Sequence, residues 1–240
     1  MSITYATTLF NEESNVPRLR EFYTNLGLEA QGTQFLFIDN NSSDGTHQKL
    51  QEEFKNLQNV KIVSNTISKG YGDGFRRIIQ ETETPFVLIY PGDFQFTAIE
   101  ISRFVSTWRS ECQGSQHVGY FSVRRRLDGI YAATRGRMWR LLLCAAFRIP
   151  FKFDPASQLR ILCIDCIPKT SSFDFTVDIE VLKKILSQPK LCKTLSSKVN
   201  FTSRLDGKSS IEKGFLLTEF KVVIAAINLR KIVKRNGDFD

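Results

Sequence analysis

The sequence lacks a long uninterrupted apolar run. Its most apolar windows are residues 141–147 and 215–229. The first is too short to cross a bilayer, and Glu219 and Lys221 interrupt the second. The N-terminus also lacks a basic region followed by an apolar core, which argues against a signal peptide. The sequence therefore predicts a cytoplasmic protein, either soluble or in peripheral contact with a membrane surface or a membrane protein.

Residues that ligate soft metals or carry acid–base chemistry are scarce. The chain has two histidines and five cysteines, and this odd number without a secretory signal indicates reduced thiols. Cys163 and Cys166 form a C-x-x-C pair, but no second cysteine or histidine pair stands near it in the sequence to complete a zinc site. We interpret both as buried thiols in or beside a strand. His47 and His117 lie in no catalytic motif and are interpreted as surface or structural residues.

The composition is that of a globular protein with an excess of positive charge. Hydrophobic residues make up 42% of the 240 residues and charged residues 24%, so general disorder is excluded. Lys and Arg outnumber Asp and Glu by 33 to 25, a net charge of +8, which suits nucleic acid, an anionic membrane or a phosphorylated small molecule. Because the chain has no repeat or Pro/Ser-rich linker, we predict one domain over residues 1–240.

The first half alternates short apolar strands with amphipathic helices. The pattern predicts strands at 3–10, 33–39, 59–65 and 86–90, and helices at 16–26, 46–54 and 72–81. This order predicts an α/β fold with right-handed crossovers and a central, mostly parallel sheet with helices on both faces. In such sheets ligands bind at the carboxyl ends of the strands.

The second half is less regular. The pattern predicts strands at 117–126 and 158–164, a strand followed by a loop at 199–210, and helices at 130–147, 177–186 and 211–233. In MWRLLLCAAFRI (138–149), Trp139 and arginines flank a short apolar core, as in an interfacial helix. A basic cluster at Arg230, Lys231, Lys234 and Arg235 suits anionic headgroups. A core helix followed by a basic tail fits these segments equally well.

Polar segments follow four of the predicted strands. They are residues 11–13, residues 39–41, the glycine-rich turn around Lys69 and Gly70, and residues 92–95. Asp39 is placed to accept hydrogen bonds from a base or ribose, whereas Asp44, Gly45 and Thr46 are interpreted as turn and helix-capping residues.

The glycine-rich turn SKGYGDGFRR (68–77) opens a helix. Glycines let a backbone approach a phosphate, and both the helix N-terminus and Lys69 favour negative charge. The turn is not the G-x-G-x-x-G fingerprint of dinucleotide sites, so a nicotinamide cofactor is not indicated.

In order and spacing, LFNEESNV, FIDNNSSDGT, N-x-x-x-K-G-x-G (65–72) and GDFQ (92–95) resemble the nucleotide-sugar half of family 2 glycosyltransferases, which have the GT-A fold. The series VGYFSVRRRLDG, FDPASQLR (153–160) and FTSRLDGKSS (201–210) is similar to dolichyl-phosphate mannose synthases and related polyprenyl-phosphate glycosyltransferases. The resemblance covers about residues 3–212. It implies a nucleotide-sugar half at 1–115, an acceptor half at 116–212 and a C-terminal basic amphipathic helix at 213–240.

This resemblance implies which residues contact the nucleotide. Glu12 or Glu13, together with Asp39, would hold the base and ribose, and Lys69 and Gly70 would lie beside the nucleotide.

It also implies a divalent cation, Mg²⁺ or Mn²⁺, between protein and diphosphate. Asp93 matches the second acid of the family's D-x-D motif and Gln95 the amide after it, so both would lie at the metal. The first acid is replaced by Pro91, which supplies no ligand. We therefore expect weaker binding and less dependence on metal. A catalytically inactive binding module is the alternative from a different class.

The resemblance assigns phosphate-binding roles to basic residues of the second half. Six arginines lie from Arg124 to Arg140. Those at 124–126, together with Arg135, would bind the phosphate of a lipid acceptor through their planar guanidinium groups. Arg137 and Arg140 are interpreted as a solvated helix face.

Other matched positions lie further along the chain. Arg204 and Lys208 match the loop that closes over the donor phosphates. Asp154 and Arg160 match a strand-flanking signature, for which structural and catalytic roles both stay open.

Together these features predict an inverting glycosyltransferase that moves a sugar from a nucleotide-diphosphate donor to a polyprenyl-phosphate acceptor. Asp93, Arg124, Arg135 and Arg204 would be its catalytic residues. A phosphate acceptor needs no general base, because its second pKa is about 6. A saccharide acceptor in envelope polysaccharide synthesis is an alternative, and it would need Asp128 or Asp154 as the base. Nucleic-acid binding is disfavoured because it leaves the polar strand ends without a role.

Overall fold

The computed structural model of the chain describes residues 1–27 and 33–202. Its elements in chain order are β1 (Ile3–Leu9), α1 (Val16–Gly27), β2 (Gln34–Asp39), α2 (Thr46–Phe54), β3 (Val60–Ser64), α3 (Tyr71–Glu81), β4 (Phe86–Ile89), α4 (Ala98–Glu111), β5 (Val118–Arg126), α5 (Ile130–Phe147), β6 (Arg160–Cys163), α6 (Thr176–Leu186) and β7 (Lys193–Phe201). Among these helices none combines the length and the apolar character that crossing a bilayer requires. The predictions for Arg204, Lys208, the final helix and its basic cluster lie outside the described residues.

The seven strands form one sheet in the order β3-β2-β1-β4-β6-β5-β7. β1 pairs in parallel with β2 and β4, β2 pairs in parallel with β3, and β5 pairs in parallel with β7. β6 is antiparallel to both of its neighbours, β4 and β5. The predicted α/β fold with a mostly parallel sheet is therefore confirmed, and β6 is the strand that departs from the parallel arrangement.

The central strands are buried because helices cover both faces of the sheet. All four residues of β4 are buried, as are six of the seven residues of β1. α4 supplies Ile101, Phe104, Val105 and Trp108 to the core. No helix was predicted between 97 and 116. α4 begins there because the Thr97 side chain accepts a hydrogen bond from the Glu100 amide, 3.3 Å away.

β7 begins at Lys193, earlier than the strand predicted from 199. Its first residues are polar and half-buried or exposed, so they show no alternation of apolar and polar residues. Backbone pairing with β5 defines the strand instead, from Val118 opposite Lys193 to Arg126 opposite Phe201.

The start of α3 packs closely against the chain at 171–174. Gly70 has φ +145°, and a Cβ there would lie 2.5 Å from the Phe173 carbonyl oxygen. A Cβ on Gly72 would lie closer still to the Ser172 oxygen, and the Gly72 amide donates to the Phe173 oxygen at 2.7 Å. The close approach of this loop is one reason why glycines stand here, and the contact of the turn with a phosphate stays a prediction. A contact between Gly70 and a nucleotide stays a prediction.

We predict that Gly72→Ala destabilises the fold by about 1–3 kcal/mol, since the added methyl overpacks against a backbone oxygen that cannot rotate away. Gly136→Ala in α5 is the matched control. Its Cβ would meet the flexible Arg126 side chain, Cδ at 2.9 Å, and alanine favours a helix interior by about 0.5–1 kcal/mol. Urea unfolding of both variants measures the difference. Equal stabilities would show that the 171–174 segment does not press on α3.

Candidate active site

The parallel strands end along one edge of the sheet. Leu9 of β1 pairs with Asp39 of β2, and Asp39 pairs with Ser64 of β3. On the other side of β1, Ala6 pairs with Ile89 of β4. The structure therefore brings the four predicted polar segments to the same edge. The arginines that end β5 lie at this edge too, because β5 is antiparallel to β6 and β6 is antiparallel to β4.

Asp39 is the most buried acid among these segments, at 2% exposed. Its Oδ1 accepts a hydrogen bond from the Ser42 amide at 3.1 Å, and its Oδ2 accepts one from the Ser64 hydroxyl at 3.1 Å. These two bonds fix the orientation of the carboxylate. The Nδ1 of His47, in the first turn of α2, lies 3.6 Å from Oδ2.

His47 lies at this edge beside Asp39, and the sequence interpretation gave it a surface or structural role. It is half-buried and faces the predicted nucleotide acid. Its position in the sequence could have indicated this placement. A helix that follows the turn at the end of a strand has its first residues at the same edge of the sheet as that strand end.

Two asparagines join the ends of β2 and β3 to the glycine-rich turn. The Asn40 side-chain amide donates to the Gly70 carbonyl at 3.0 Å and accepts from the Asn65 side chain at 2.9 Å. The Asn65 backbone amide donates to the Asp39 carbonyl at 2.8 Å. The turn is thereby held against β2, and neither asparagine had been assigned this role from the sequence.

The segment after β1 is bonded to the start of α2. Asn11 has a positive φ of 54°, and its side-chain oxygen accepts from the Ser43 amide at 2.8 Å. Glu13 accepts from the Gly45 amide at 3.1 Å, and Glu12 accepts from the Asn15 side chain at 2.5 Å. Both acids lie at the predicted edge, and their contact with a nucleotide stays a prediction.

Asp44 has the turn and capping function expected from the sequence. Its Oδ1 accepts hydrogen bonds from the Thr46 amide at 3.0 Å and the Thr46 hydroxyl at 2.5 Å. Burial alone would raise the pKa of Asp44, but the bonds from Thr46 and from the Glu13 amide lower it.

The segment after β4 carries the predicted metal ligands. Asp93 and Gln95 are half-buried, with Phe94 between them at a positive φ of 58°. The Gln95 amide donates to Asp93 Oδ1 at 3.4 Å, and the Gln95 carbonyl accepts from the Thr202 amide at 3.1 Å. This second bond anchors the segment to the end of β7. A carboxylate and an amide oxygen on one tight turn suit a hard divalent cation.

Lys69 is exposed on the glycine-rich turn. Its Nζ lies 5.1 Å from the centre of the Phe173 ring, and the Arg76 guanidinium lies 5.1 Å from the same ring. The Lys69 backbone amide donates to Asp73 at 2.7 Å. Burial would raise the pKa of Asp73, but this bond and the ion pair with Arg76 lower it. The Lys69 charge is thus held at the edge by an aromatic partner.

Two of the three arginines that end β5 are paired with carboxylates. Arg124 forms a bidentate ion pair with Asp154, with Nε 2.8 Å from Oδ2 and Nη2 3.1 Å from Oδ1. Arg126 forks onto Asp128 at 3.0 and 2.6 Å. Arg125 is exposed between them, and Arg135, exposed in α5, stacks on Tyr131 at 5.9 Å.

A buried ion pair lies beneath the site. Arg160 begins β6 opposite Ile89, is fully buried, and forms a hydrogen-bonded ion pair with Asp178 of α6. Burial would lower the pKa of Arg160, but Asp178 and Tyr71 raise it, so the guanidinium stays charged. Of the roles left open for Asp154 and Arg160, these contacts give each a structural one.

The fold matches those of solved glycosyltransferases. Mannosyl-3-phosphoglycerate synthase from Rubrobacter xylanophilus superposes with a TM-score of 0.71 at 14% identity, covering 100% of this chain and 76% of that one. Glucosyl-3-phosphoglycerate synthase from Mycobacterium tuberculosis with Mn²⁺ and UDP-glucose gives 0.67 at 17%, covering 95% and 78%. The same enzyme with Mn²⁺, UDP and phosphoglyceric acid gives 0.70 at 16%, covering 100% and 80%. At such identities the likeness shows the fold alone.

These neighbours and the strand order of the sheet define the GT-A fold. The sequence profile of glycosyl transferase family 2 matches residues 6–182, well over half of the chain. The chain therefore belongs to glycosyl transferase family 2, as the resemblance of its motifs implied. A search of curated protein sequences finds no match.

A buried acid of α6 supports the segment that packs against the glycine-rich turn. Glu180 is buried, and its carboxylate accepts from the Ser171 amide at 3.1 Å, the Ser172 amide at 3.0 Å and the Lys184 ammonium at 3.0 Å. Burial would raise the pKa of Glu180, but the bonds from Lys184 and Ser172 lower it below its ordinary 4.5. The carboxylate therefore stabilises the fold in its ionised form.

We predict that Glu180→Gln lowers the free energy of unfolding by about 1–3 kcal/mol at pH 7, because an amide group would face three donors. Since the folded-state pKa is depressed, this contribution is present above about 4.5, the unfolded value, and is lost as pH falls through the folded value. Urea unfolding at pH 7 and at a pH below the folded-state pKa of Glu180 measures this contribution. Glu83→Gln, which loses only the exposed pair with Lys61, is the control. A difference between wild type and Glu180→Gln that persists below the folded pKa would contradict the assignment.

Proposed function

We propose that this glycosyltransferase moves a sugar, with inversion, from a nucleoside-diphosphate donor to a polyprenyl-phosphate acceptor. The observation that carries the proposal is the strand register, since β1 separates the tip of β2 with Asp39 from the tip of β4 with Asp93. The end of β2 with Asp39 suits the nucleoside, and the end of β4 with Asp93 suits the diphosphate with its cation. The leaving diphosphate would depart toward Asp93, away from the buried sheet.

The nucleoside would lie against Asp39. Ser42 and Ser64 fix its carboxylate, whose oxygens would accept a hydrogen bond from an N–H of the base or from a ribose hydroxyl. The exposed Lys69 and the acids Glu12 and Glu13 flank this position. Arg204 and Lys208, which lie outside the described residues, are proposed to close over the phosphates.

A divalent cation, Mg²⁺ or Mn²⁺, would be held by Asp93 and Gln95. Mg²⁺ commonly binds through one or two carboxylates plus substrate phosphates, so a single acid beside Pro91 is sufficient. Mn²⁺ accompanies UDP-glucose in the Mycobacterium tuberculosis enzyme, which supports such a cation here. When bound, the cation neutralises charge that develops on the departing diphosphate.

The ion pairs at the end of β5 favour a phosphate over a saccharide as acceptor. A saccharide hydroxyl needs a general base, and the two candidates are Asp128 and Asp154. The hydrogen bond from Arg126 lowers the pKa of Asp128, and Asp154 is buried in a fork with Arg124. The lowered pKa makes Asp128 a weak base, and both carboxylate oxygens of Asp154 are already occupied by Arg124. A phosphate acceptor is already ionised near neutral pH and needs none.

Helix α5 supports a lipid acceptor. Leu143, Cys144 and Phe147 face the core, but Ile130, Tyr131, Met138, Leu141 and Leu142 are exposed, Ile130 at 88% and Tyr131 at 80%. This apolar surface directly follows the arginines of β5 in the chain. A polyprenyl phosphate would place its phosphate near Arg125 and Arg135 and its chain along α5, in peripheral contact with a membrane.

The donor site is tested by thermal shift with UDP- and GDP-sugars, with and without Mn²⁺. We expect one nucleotide sugar to raise the Tm of the wild type by about 4 °C or more at saturation. Asp39→Ala and Asp39→Asn should lose this shift, because both remove the anionic acceptor. Glu52→Gln on the exposed side of α2 is the control. A shift retained in both Asp39 variants, or produced only by oligonucleotides, would refute the donor site.

A small phosphorylated acceptor is the second candidate function. The structural neighbours include a glucosyl-3-phosphoglycerate synthase, which was solved with phosphoglyceric acid, and a mannosyl-3-phosphoglycerate synthase. Such an acceptor shares the phosphate chemistry of the first candidate and lacks the lipid tail.

Transfer of radiolabelled sugar distinguishes the two acceptors. Polyprenyl phosphate in vesicles and 3-phosphoglycerate are offered in parallel, and label is counted after organic extraction. We expect label in the organic phase, with about a tenfold loss or more in Arg135→Glu, which repels the phosphate. Labelled product that is formed from 3-phosphoglycerate and separated from the unreacted donor in the aqueous phase would replace the lipid acceptor by the small one. Donor binding without any transfer would instead support an inactive binding module.

A further inference from the structure

The edge of the sheet opposite the candidate active site gathers sulfur and imidazole. Because β6 runs antiparallel to its neighbours, Cys163 at its end pairs with Phe86 at the start of β4. His117 directly precedes β5, whose Gly119 pairs with Leu162. Parts of the chain that are distant in sequence thus meet at this edge.

The C-x-x-C pair has partners that its sequence neighbourhood did not contain. The Cys166 thiol contacts the thiols of both Cys163 and Cys192. A ligand atom from each of His117, Cys163 and Asp165 lies within 4.8 Å of the others. The interpretation of Cys163 and Cys166 as buried thiols is confirmed, and the fold places His117, which is distant in the sequence, beside Cys163.

We propose that His117, Cys163 and Asp165 form a binding site for a thiolate-preferring divalent cation, Zn²⁺ in particular. This site is separate from the cation proposed at Asp93, because the sheet lies between the two edges. It would tie the start of β5 to the end of β6.

The ligand chemistry selects zinc over the hard cations. Imidazole nitrogen, thiolate sulfur and carboxylate oxygen are the three ligand types that Zn²⁺ takes, at about 2.0–2.3 Å, whereas Mg²⁺ and Ca²⁺ take oxygen. One thiolate and one carboxylate balance the two positive charges of the ion. The fourth tetrahedral position would be filled by solvent.

The burial pattern gives the ion both an anchor and an entrance. Cys163 is 3% exposed, so its sulfur is fixed by the core, whereas His117 and Asp165 are exposed. Ligands on a tetrahedral zinc lie roughly 3.5 Å apart. The two exposed side chains can rotate inward by the small distance that closing the site requires.

Backbone hydrogen bonds hold the segments that carry the ligands. The His117 carbonyl accepts from the Lys193 amide at 3.0 Å, and the Ile164 amide donates to the Pro85 carbonyl at 3.0 Å. Cys166 and Cys192 have carbonyl partners of their own, Leu191 at 3.9 Å and Lys193 at 3.7 Å. The site therefore rests on rigid elements, as a preorganised metal site does.

The test is metal binding by the full-length protein, treated with a chelator and kept reduced. Zn²⁺ affinity is measured by competition with a chromophoric chelator, and Co²⁺ serves as the spectroscopic probe. We expect one ion per chain, a thiolate-to-cobalt charge-transfer band, and the intense visible bands of a tetrahedral site. Zn²⁺ should also raise the Tm, because it binds the folded state.

Ligand variants decide the assignment. His117→Ala, Asp165→Asn and Cys163→Ser should each weaken Zn²⁺ binding by about 100-fold or more, and Cys163→Ser should abolish the charge-transfer band. The first two change exposed side chains, so their folding is not at risk. Cys144→Ser, a buried cysteine of α5 whose thiol lies 3.6 Å from the Phe153 oxygen, should bind as the wild type does. Absence of stoichiometric binding, or undiminished binding in both His117→Ala and Asp165→Asn, would overturn the site.

Discussion

The parallel hydrogen bonding of β1 on both of its sides is the constraint on which the rest of the molecule depends. β1 is buried between β2 and β4, so each of its backbone groups must be paired by one of these neighbours. The register that satisfies them places Asp39 beside Leu9 and the 91–95 turn beside the end of β1. Neither tip can shift along the sheet without breaking the ladder. The geometry of the candidate site is therefore set by backbone pairing before any side chain contributes.

Contacts from the second half of the described chain then shape the glycine-rich turn of the first half. Glu180 of α6 binds the amides of Ser171 and Ser172, and the segment they begin packs against Gly70 and Gly72. The glycine-rich turn in turn receives the Asn40 side chain from β2. α6 is thus connected, through this segment and the glycine-rich turn, to the end of β2. These contacts are one reason why two glycines stand at the start of α3.

Hydrophobic patterning was sufficient to predict the fold, because buried strands and amphipathic helices leave strong local signals. The bounds of α2 and α5 matched the structure, and the other predicted elements among the described residues differed mainly by shifted ends. Two features that the sequence did not predict, the direction of β6 and the start of β7, have physical causes. β6 is four buried residues, Arg160–Cys163, and so short a strand carries no information about its direction. β7 begins with polar residues that are ordered by pairing with β5, which no local pattern reveals.

The candidate site was predictable in position but not in its contacts. Strand ends located Asp39, Asp93 and the arginines of β5, since their placement follows from topology. The partners of those residues come from distant segments: Asp154 for Arg124, and Asp178 for Arg160. The meeting of His117 with Cys163 across β5 and β6 has the same origin. Long-range pairs of this kind depend on the register of non-adjacent strands, which a single sequence does not encode locally.

Charge balance at the edge gives Pro91 a physical meaning within the proposed function. A second carboxylate at this position would stand close to the donor diphosphate. Two unit charges about 4 Å apart repel by ~4 kcal/mol at an effective dielectric constant near 20, and a bound cation normally offsets such repulsion. With proline there, the edge presents less negative charge to the diphosphate, while Lys69 remains exposed beside it. The loss of one metal ligand is therefore accompanied by a smaller need for metal, so the substitution is compatible with retained donor binding.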